Sequence, residues 1–416
     1  MKLSELSRRR VAATLTVGAL LGASTVVLGA TEASAVGPTA NSVSVPAGGV
    51  GINGKGFGHG KGMSQYGAYG AALAGYNAGQ ILGFYYPGSK PGSFGNYPMR
   101  VRLTALDGGF LVLAPVGRAS GLVATGSNGR VVRLPAVARW RLTPVRGGFA
   151  VQTPAGRAWG TVAVLPAPVG LSGPAVMRAE FGRRKGDCKN SYDAVFSGTA
   201  RAVYYNGKAY YQAVVPIESY LRGVLSSEMP ATWPAQAVRA QAIAARTYAA
   251  WARTRGYFYD VRDDTGDQCW DGAAGEHPAT TAAINATRAG ILTHGGKPLL
   301  AQFSASNGGW TAAGGAAYLT SRADPNEARG RSPYLKWRVV VTPQRFAAVD
   351  GPGGIARATK ITVLRRDAGG TWGGRVNLIR ISGVTSAGRP TYATMTGDAF
   401  RRAFGLRSNY FGFVYG

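Results

Sequence analysis

Glu228 stands in the stretch SSEMPATWP, where Pro230 and Pro234 interrupt regular structure between two helix-like segments. Its neighbours Met229, Pro230 and Trp233 are largely apolar, and low-polarity surroundings raise a carboxyl pKa towards that of a general acid. The competing reading is that Glu228 caps the following helix, whose N-terminus would favour the anion and lower the pKa. Composition does not choose between them. Downstream of residue 35 the glutamates are Glu180, Glu218, Glu228, Glu276 and Glu327, although aspartates can fold in from elsewhere. The glycine-dense GKGFGHGKG lacks the G-x-x-x-x-G-K-[ST] order of a phosphate loop. Ser304 and Ser306 lack a G-x-S-x-G elbow, which argues against a serine nucleophile. The loop DVRDDTGDQCWDG carries five aspartates but not EF-hand spacing, and is expected to be solvated.

The chain that must position these residues has 416 amino acids, with 45% hydrophobic and 10% aromatic residues, enough for a sizeable core. Lys2 and Arg8 to Arg10, an apolar run over 11–30 and Ala33-Ser34-Ala35 form the pattern of a secretory signal peptide over 1–35. The expected location is therefore secreted or wall-associated, with no membrane span after cleavage. A formal net charge of +28 favours acidic polymers at long range, and outside a cell wall polymers are met more readily than nucleic acid, but the cations are spread along the whole chain, so charge alone names no partner. In an oxidising compartment Cys188 and Cys269 are expected to form a disulfide. A Cys269/His277 metal pair remains the alternative; His59, His277 and His294 are scattered, and no metal or other cofactor is expected.

The pattern predicts an α+β fold: a helical core packed on antiparallel sheets, with an inserted or flanking β-rich subdomain. A linker is expected over 36–50, a glycine-rich segment over 51–96, a β-rich subdomain over 97–177 and the main domain over 178–416. Asn206-Gly207 between two aromatic runs predicts a hairpin. Pro216 and Pro234 each open a helix. The second carries an apolar stripe at Ala237, Ala240, Ala244, Tyr248 and Trp251, with Arg239, Arg246 and Arg253 on another face.

YLRGVLSSEMPATWPAQAVRAQAIAARTYA, GHGKGMSQYGAYGAA, ILGFYYPG, AQFSASNGGWT and TGDAFRRAFGLRS together resemble the SpoIID/LytB family of peptidoglycan lytic transglycosylases and amidase enhancers. The resemblance implies cleavage between N-acetylmuramic acid and N-acetylglucosamine by one acid/base, Glu228, leaving 1,6-anhydro ends. It implies glycan contacts from His59, Ser64, Gln65, Ser304, Ser306 and Asn307, with Arg246 holding the Glu228 carboxylate or a muramic lactyl group, or standing in solvent. The alternative within the family is a non-catalytic enhancer that binds peptidoglycan or a wall amidase. In the family the GHG block usually lies at the C-terminus, whereas here it comes first, which resembles a circular permutation. Ile52 to Tyr86 is therefore expected to pack beside Asn377 to Gly416.

Overall fold

The computed structural model describes residues 42–117, 121–173, 176–180, 188, 193–349 and 354–413. The expected signal peptide lies outside them.

Alternating apolar residues and Gly/Pro breaks between 98 and 216 give short strands that build two sheets. The seven-stranded sheet runs, from edge to edge, Val261–Arg262, Pro98–Arg102, Lys208–Pro216, Thr199–Tyr205, Val169–Ser172, Val123–Thr125 and Val131–Arg133. The six-stranded sheet runs Ala158–Pro166, Gly148–Ala155, Trp140–Val145, Leu111–Pro115, Met177–Glu180 and Ala194–Phe196. Phe149 stacks on Tyr204 with ring centroids 4.9 Å apart, joining the two sheets. Strands from both sides of residue 177 share each sheet. The Asn206-Gly207 hairpin forms as expected, with Tyr205 opposite Lys208 and positive φ at both turn residues, which matches strand twist.

Helices cover one end of this β framework. They are α1 (Gln65–Leu73), α2 (Ala78–Tyr85), α3 (Ile217–Glu228), α4 (Ala235–Thr254) and α5 (Pro278–Ala286), with the short α6 (Asn326–Arg329) beside α1. Pro216 and Pro234 occupy the caps of α3 and α4, where a missing N–H is harmless. Ala237, Ala240, Ala244, Ala245 and Ala249 are fully buried, and their small side chains let neighbouring elements approach α4 closely. The result is the α+β fold that the patterning predicts.

A second core lies around Val50, Ile52, Trp337, Phe346, Ile361, Ile379, Phe400 and Phe411. Ile52–Gly54 pairs antiparallel with Phe411–Phe413 on one side, while the strand Val50–Gly54 pairs with Trp337–Val341 on the other. The start of the glycine-rich segment and the last described strand are thus neighbours in one sheet, as expected from the block order.

After that strand, Gly56, Gly58, Gly60 and Gly62 all adopt positive φ, a conformation that costs any other residue. The loop is stitched to its surroundings by backbone donors: Gly56 to Tyr334 O, Phe57 to Ser306 O, Gly58 to Arg407 O and Met63 to Gln302 O. Met63–Ser64 then pairs in parallel with Phe303–Ser304. α1 follows with Ser64 as its cap, accepting from the Gly67 N–H.

Gly70 lets α1 touch α6: a Cβ there would lie 2.0 Å from the Asn326 carbonyl oxygen. Gly70→Ala should therefore force the helices apart and lower unfolding stability by on the order of 1–3 kcal/mol, read from urea unfolding.

Candidate active site

Glu228 is the last residue of α3, and the chain leaves the helix through Met229 in extended conformation. It does not cap α4, whose cap is Pro234, so the competing reading of its sequence position fails. The residue is half-buried. Burial is the largest influence on its carboxyl and lifts the pKa from 4.5 to about 7; nearby Asp271 pushes the same way.

Two groups oppose the rise. The Cys269 N–H donates to Glu228 Oε1 at 3.0 Å. The side-chain amide of Gln65, the first residue of α1, also favours the anion, although its Nε2 makes no hydrogen bond of standard geometry. Gln65 is the polar residue of the glycine-rich block that reaches the candidate acid. Asp271 is 3% exposed and accepts from Ser227 Oγ. Its carboxylate therefore tunes Glu228 from inside the protein rather than facing a groove.

Cys188 and Cys269 form the expected disulfide. It anchors the loop that supplies the N–H to Glu228. A metal pair at Cys269 is thereby replaced, and among the described residues no group of three or more His, Cys, Asp or Glu side chains is arranged to hold an ion. The acidic loop departs from the expected solvated state. Asp260 and Asp263 are fully buried, Asp260 bonded to Arg100 and Asp263 to Thr104. Burial of such charges demands partners, and Asp267 and Asp271 likewise accept from Tyr248 and Ser227, so four of the five aspartates anchor the loop while Asp264 accepts from Gly266 within it.

Arg246 also departs from expectation. It is fully buried on α4 and donates through Nε and Nη2 to both oxygens of Glu218, at 3.0 and 2.8 Å. Its Nη1 donates to Gly290 O. No glycan carboxylate can reach it. A seven-residue arginine spacing implies one shared face of α4, but it does not show whether that face is wet, and Glu218 in the first turn of α3 is the missed partner.

Ser64, Ser306 and Asn307 are likewise fully buried, and their direct sugar contacts are replaced by internal bonds. Ser64 and Ser306 both donate to Glu327, itself fully buried, and Asn307 donates to Asp324 Oδ2 at 2.7 Å. Ser304 Oγ accepts from the Gly60 N–H at 3.2 Å. Tyr85 donates to the same Asp324 oxygen at 2.7 Å. These groups lock the glycine-rich loop and α1 to residues 303–332, and so hold Gln65 in place.

His59 is half-buried. Its Nδ1 accepts from the Lys61 N–H at 3.0 Å, leaving the proton of the neutral ring on Nε2. Burial, then Lys61 and Arg375, lower its pKa to about 4, so it is neutral near pH 7. Of the charged groups that act on it, Lys61 belongs to its own loop and Arg375, Asp398 and Arg401 to the C-terminal part of the chain, whereas Glu228 responds to Asp271. Arg375 fills the space where a Cβ on Gly60 would sit.

Residues 205–294 match the family described as SpoIID, stage II sporulation protein. An uncharacterised protein of Brachyspira hyodysenteriae is 34% identical over 28% of this chain and 32% of its own length. The amidase enhancer of Bacillus subtilis is 31% identical over 30% of this chain and 17% of its own length. Stage II sporulation protein D of the same organism is 30% identical over 29% of this chain and 38% of its own length. The chain thus spans well under half the length of these curated relatives.

Two outcomes follow from the site geometry. Arg246→Lys should lose the bidentate bond and destabilise the fold by about 3–5 kcal/mol while glycan affinity stays unchanged, a split that unfolding and binding assays resolve. Replacing both cysteines by serine should free the loop; the Glu228 pKa should then rise above its wild-type value as the Cys269 donor loosens, read from carbon-13 NMR titration of labelled glutamate.

Proposed function

We propose that this protein, whose residues 205–294 match the SpoIID family, is an extracytoplasmic, cell-wall-acting lytic transglycosylase with Glu228 as its single acid/base. The observation that carries the reading is the half-buried Glu228 carboxyl, held near pKa 7 at the end of α3 with Gln65 beside it. A group with that pKa is substantially protonated near neutrality and can also give up its proton there.

In the proposed reaction Glu228 donates its proton to the glycosidic oxygen between N-acetylmuramic acid and N-acetylglucosamine, and the leaving sugar departs with that proton. The carboxylate left behind takes the proton of the 6-hydroxyl of the muramic sugar, whose oxygen closes on C1 to form the 1,6-anhydro ring. No water enters, and the acid is restored. The Cys269 N–H and the Gln65 amide stabilise the transient carboxylate. Hydrolysis by the usual carboxyl pair needs a second, open carboxylate to act as base or nucleophile. Asp271 is enclosed and bonded to Ser227, which favours the single-acid route.

A relative named as an amidase enhancer supports a second reading, in which the chain binds the wall or a wall amidase without cleaving glycan. Among the described residues no helix is long and apolar enough to cross a membrane. The order of the matched blocks, together with pairing between Ile52–Gly54 and Phe411–Phe413, supports a circularly permuted arrangement.

Glu228→Gln should keep the fold and wall binding but release no anhydro-muropeptides from purified wall, as read by mass spectrometry. Loss of product only in the variant supports cleavage; product from neither protein moves the conclusion to the enhancer. The native protein retains the Glu228 proton up to about pH 7, while an unfolded glutamate releases it near 4.5. Wild-type stability is therefore lost as pH rises through that window, and at pH 8 Glu228→Gln should be more stable than wild type, by on the order of 1–3 kcal/mol in chemical unfolding.

A further inference from the structure

Five residues after Glu228 begins a file of aromatic rings. Trp233 lies in the turn that follows the carboxyl, held by its N–H to Pro230 O. Its ring meets Tyr69 at 4.7 Å and Tyr66 at 4.9 Å, centroid to centroid. Tyr66 meets Tyr334 at 5.8 Å, and Tyr334 meets Phe57 at 4.9 Å. Four of these rings are half-buried, and Phe57 is 39% exposed. At the far end the exposed Arg407 holds its guanidinium 5.1 Å from the Tyr334 ring and 5.8 Å from the Phe57 ring.

The row is built from elements already fixed by the site. Tyr66 follows Gln65 directly, and Tyr69 lies three residues on, on the same side of α1. Phe57 sits in the glycine-rich loop, where its N–H and C=O both bond to Ser306. The Tyr334 N–H donates to Ser332 Oγ, which in turn donates to Ser306 Oγ. Anchored rings lose little freedom when they bind, so their contact area converts efficiently into affinity.

We propose that this row is an extended binding track for a polysaccharide strand, running from Trp233 and Tyr66, the residue next to Gln65, to Phe57 and Arg407. The proposal rests on the reading of Glu228 as the glycan-cleaving acid and adds where the rest of the strand lies. Pyranose rings of a β-linked strand offer flat C–H faces to aromatic rings and hydroxyl edges to polar groups. A single file of rings in mutual contact, three of them tyrosines, suits such a strand better than the broad apolar core of a protein interface. Among the described residues Arg407 makes no ion pair, and its planar cation suits a carboxylate carried by the strand.

The test uses the full chain carrying Glu228→Gln, so that bound strands stay intact, with chitin oligosaccharides as neutral probes and peptide-free wall glycan as the carboxylate-bearing one. Affinity for chitin oligomers, read by calorimetry or Trp233 fluorescence, should climb from disaccharide to hexasaccharide. Adding Phe57→Ala or Tyr334→Ala should cost about tenfold on the hexasaccharide and nothing on the disaccharide. Arg407→Gln should weaken only the wall glycan. Phe57→Leu, which keeps apolar volume but removes the ring, should behave like Phe57→Ala and guards against a folding defect in the smaller variant. Equal affinity for short and long oligomers, or ring variants that match their parent on the hexasaccharide, would overturn the track. Length-dependent binding by a wild-type protein that yields no anhydro product would keep the track and remove the cleavage reading.

Discussion

Everything at the site depends on how much hydration the Glu228 carboxyl loses relative to what the protein returns to it. A buried carboxylate costs several kcal/mol unless hydrogen bonds replace its water. Here the replacement is partial: one backbone N–H from Cys269 and the nearby Gln65 amide, with the negative Asp271 working against them. Burial wins by a margin that leaves the pKa at about 7. Stronger pairing, of the kind that Arg246 gives Glu218, would fix the charge and end any acid role. The two glutamates of α3 thus show opposite solutions within one helix: Glu218 fully compensated, Glu228 deliberately under-compensated.

The second constraint is the placement of Gln65. The chain arrives at α1 through four glycines of positive φ, a path that no run of larger residues could follow. Backbone donors of Gly56, Gly58 and Gly60 bind Tyr334, Arg407 and Ser304, those of Phe57 and Met63 bind Ser306 and Gln302, and the buried Glu327 accepts from Ser64 and Ser306. A buried carboxyl that accepts from two serines fixes the geometry of both segments at once. The second core continues this support, since Ile52–Gly54 is the middle strand between Trp337–Val341 and Phe411–Phe413. Distant parts of the sequence therefore meet at one loop, and the candidate acid gains a polar neighbour from a block that lies far upstream.

Much of this was legible in the residues. Two prolines mark the openings of α3 and α4, Asn206-Gly207 marks the hairpin, and the Ala-rich stripe marks a buried helix face, because each is a local signal with a local cause. The block order pointed to the contact between Ile52 and the C-terminal strand. Which polar side chains are buried was not legible. Arg246, Ser306 and Asn307 look like surface groups by type, yet each is interior because a specific partner, Glu218, Glu327 or Asp324, waits there. The acidic loop misleads in the same way, since its aspartates face arginines and threonines brought by a distant strand. Long-range pairing of this kind has no periodicity to betray it. Tyr66 and Tyr69 carried a weak signal in their three-residue spacing, but their alignment with Trp233, Tyr334 and Phe57 exists only in the folded chain.

The most direct measurement is the titration of the Glu228 side chain itself, by carbon-13 NMR of selectively labelled glutamate, with Glu228→Gln used to assign the resonance. A midpoint near 7 is the result that the partial compensation of a buried carboxyl demands. A midpoint near 4.5, the value of a glutamate in water, would mean that the carboxyl is fully hydrated or fully paired, and the account of a proton held for delivery would fail.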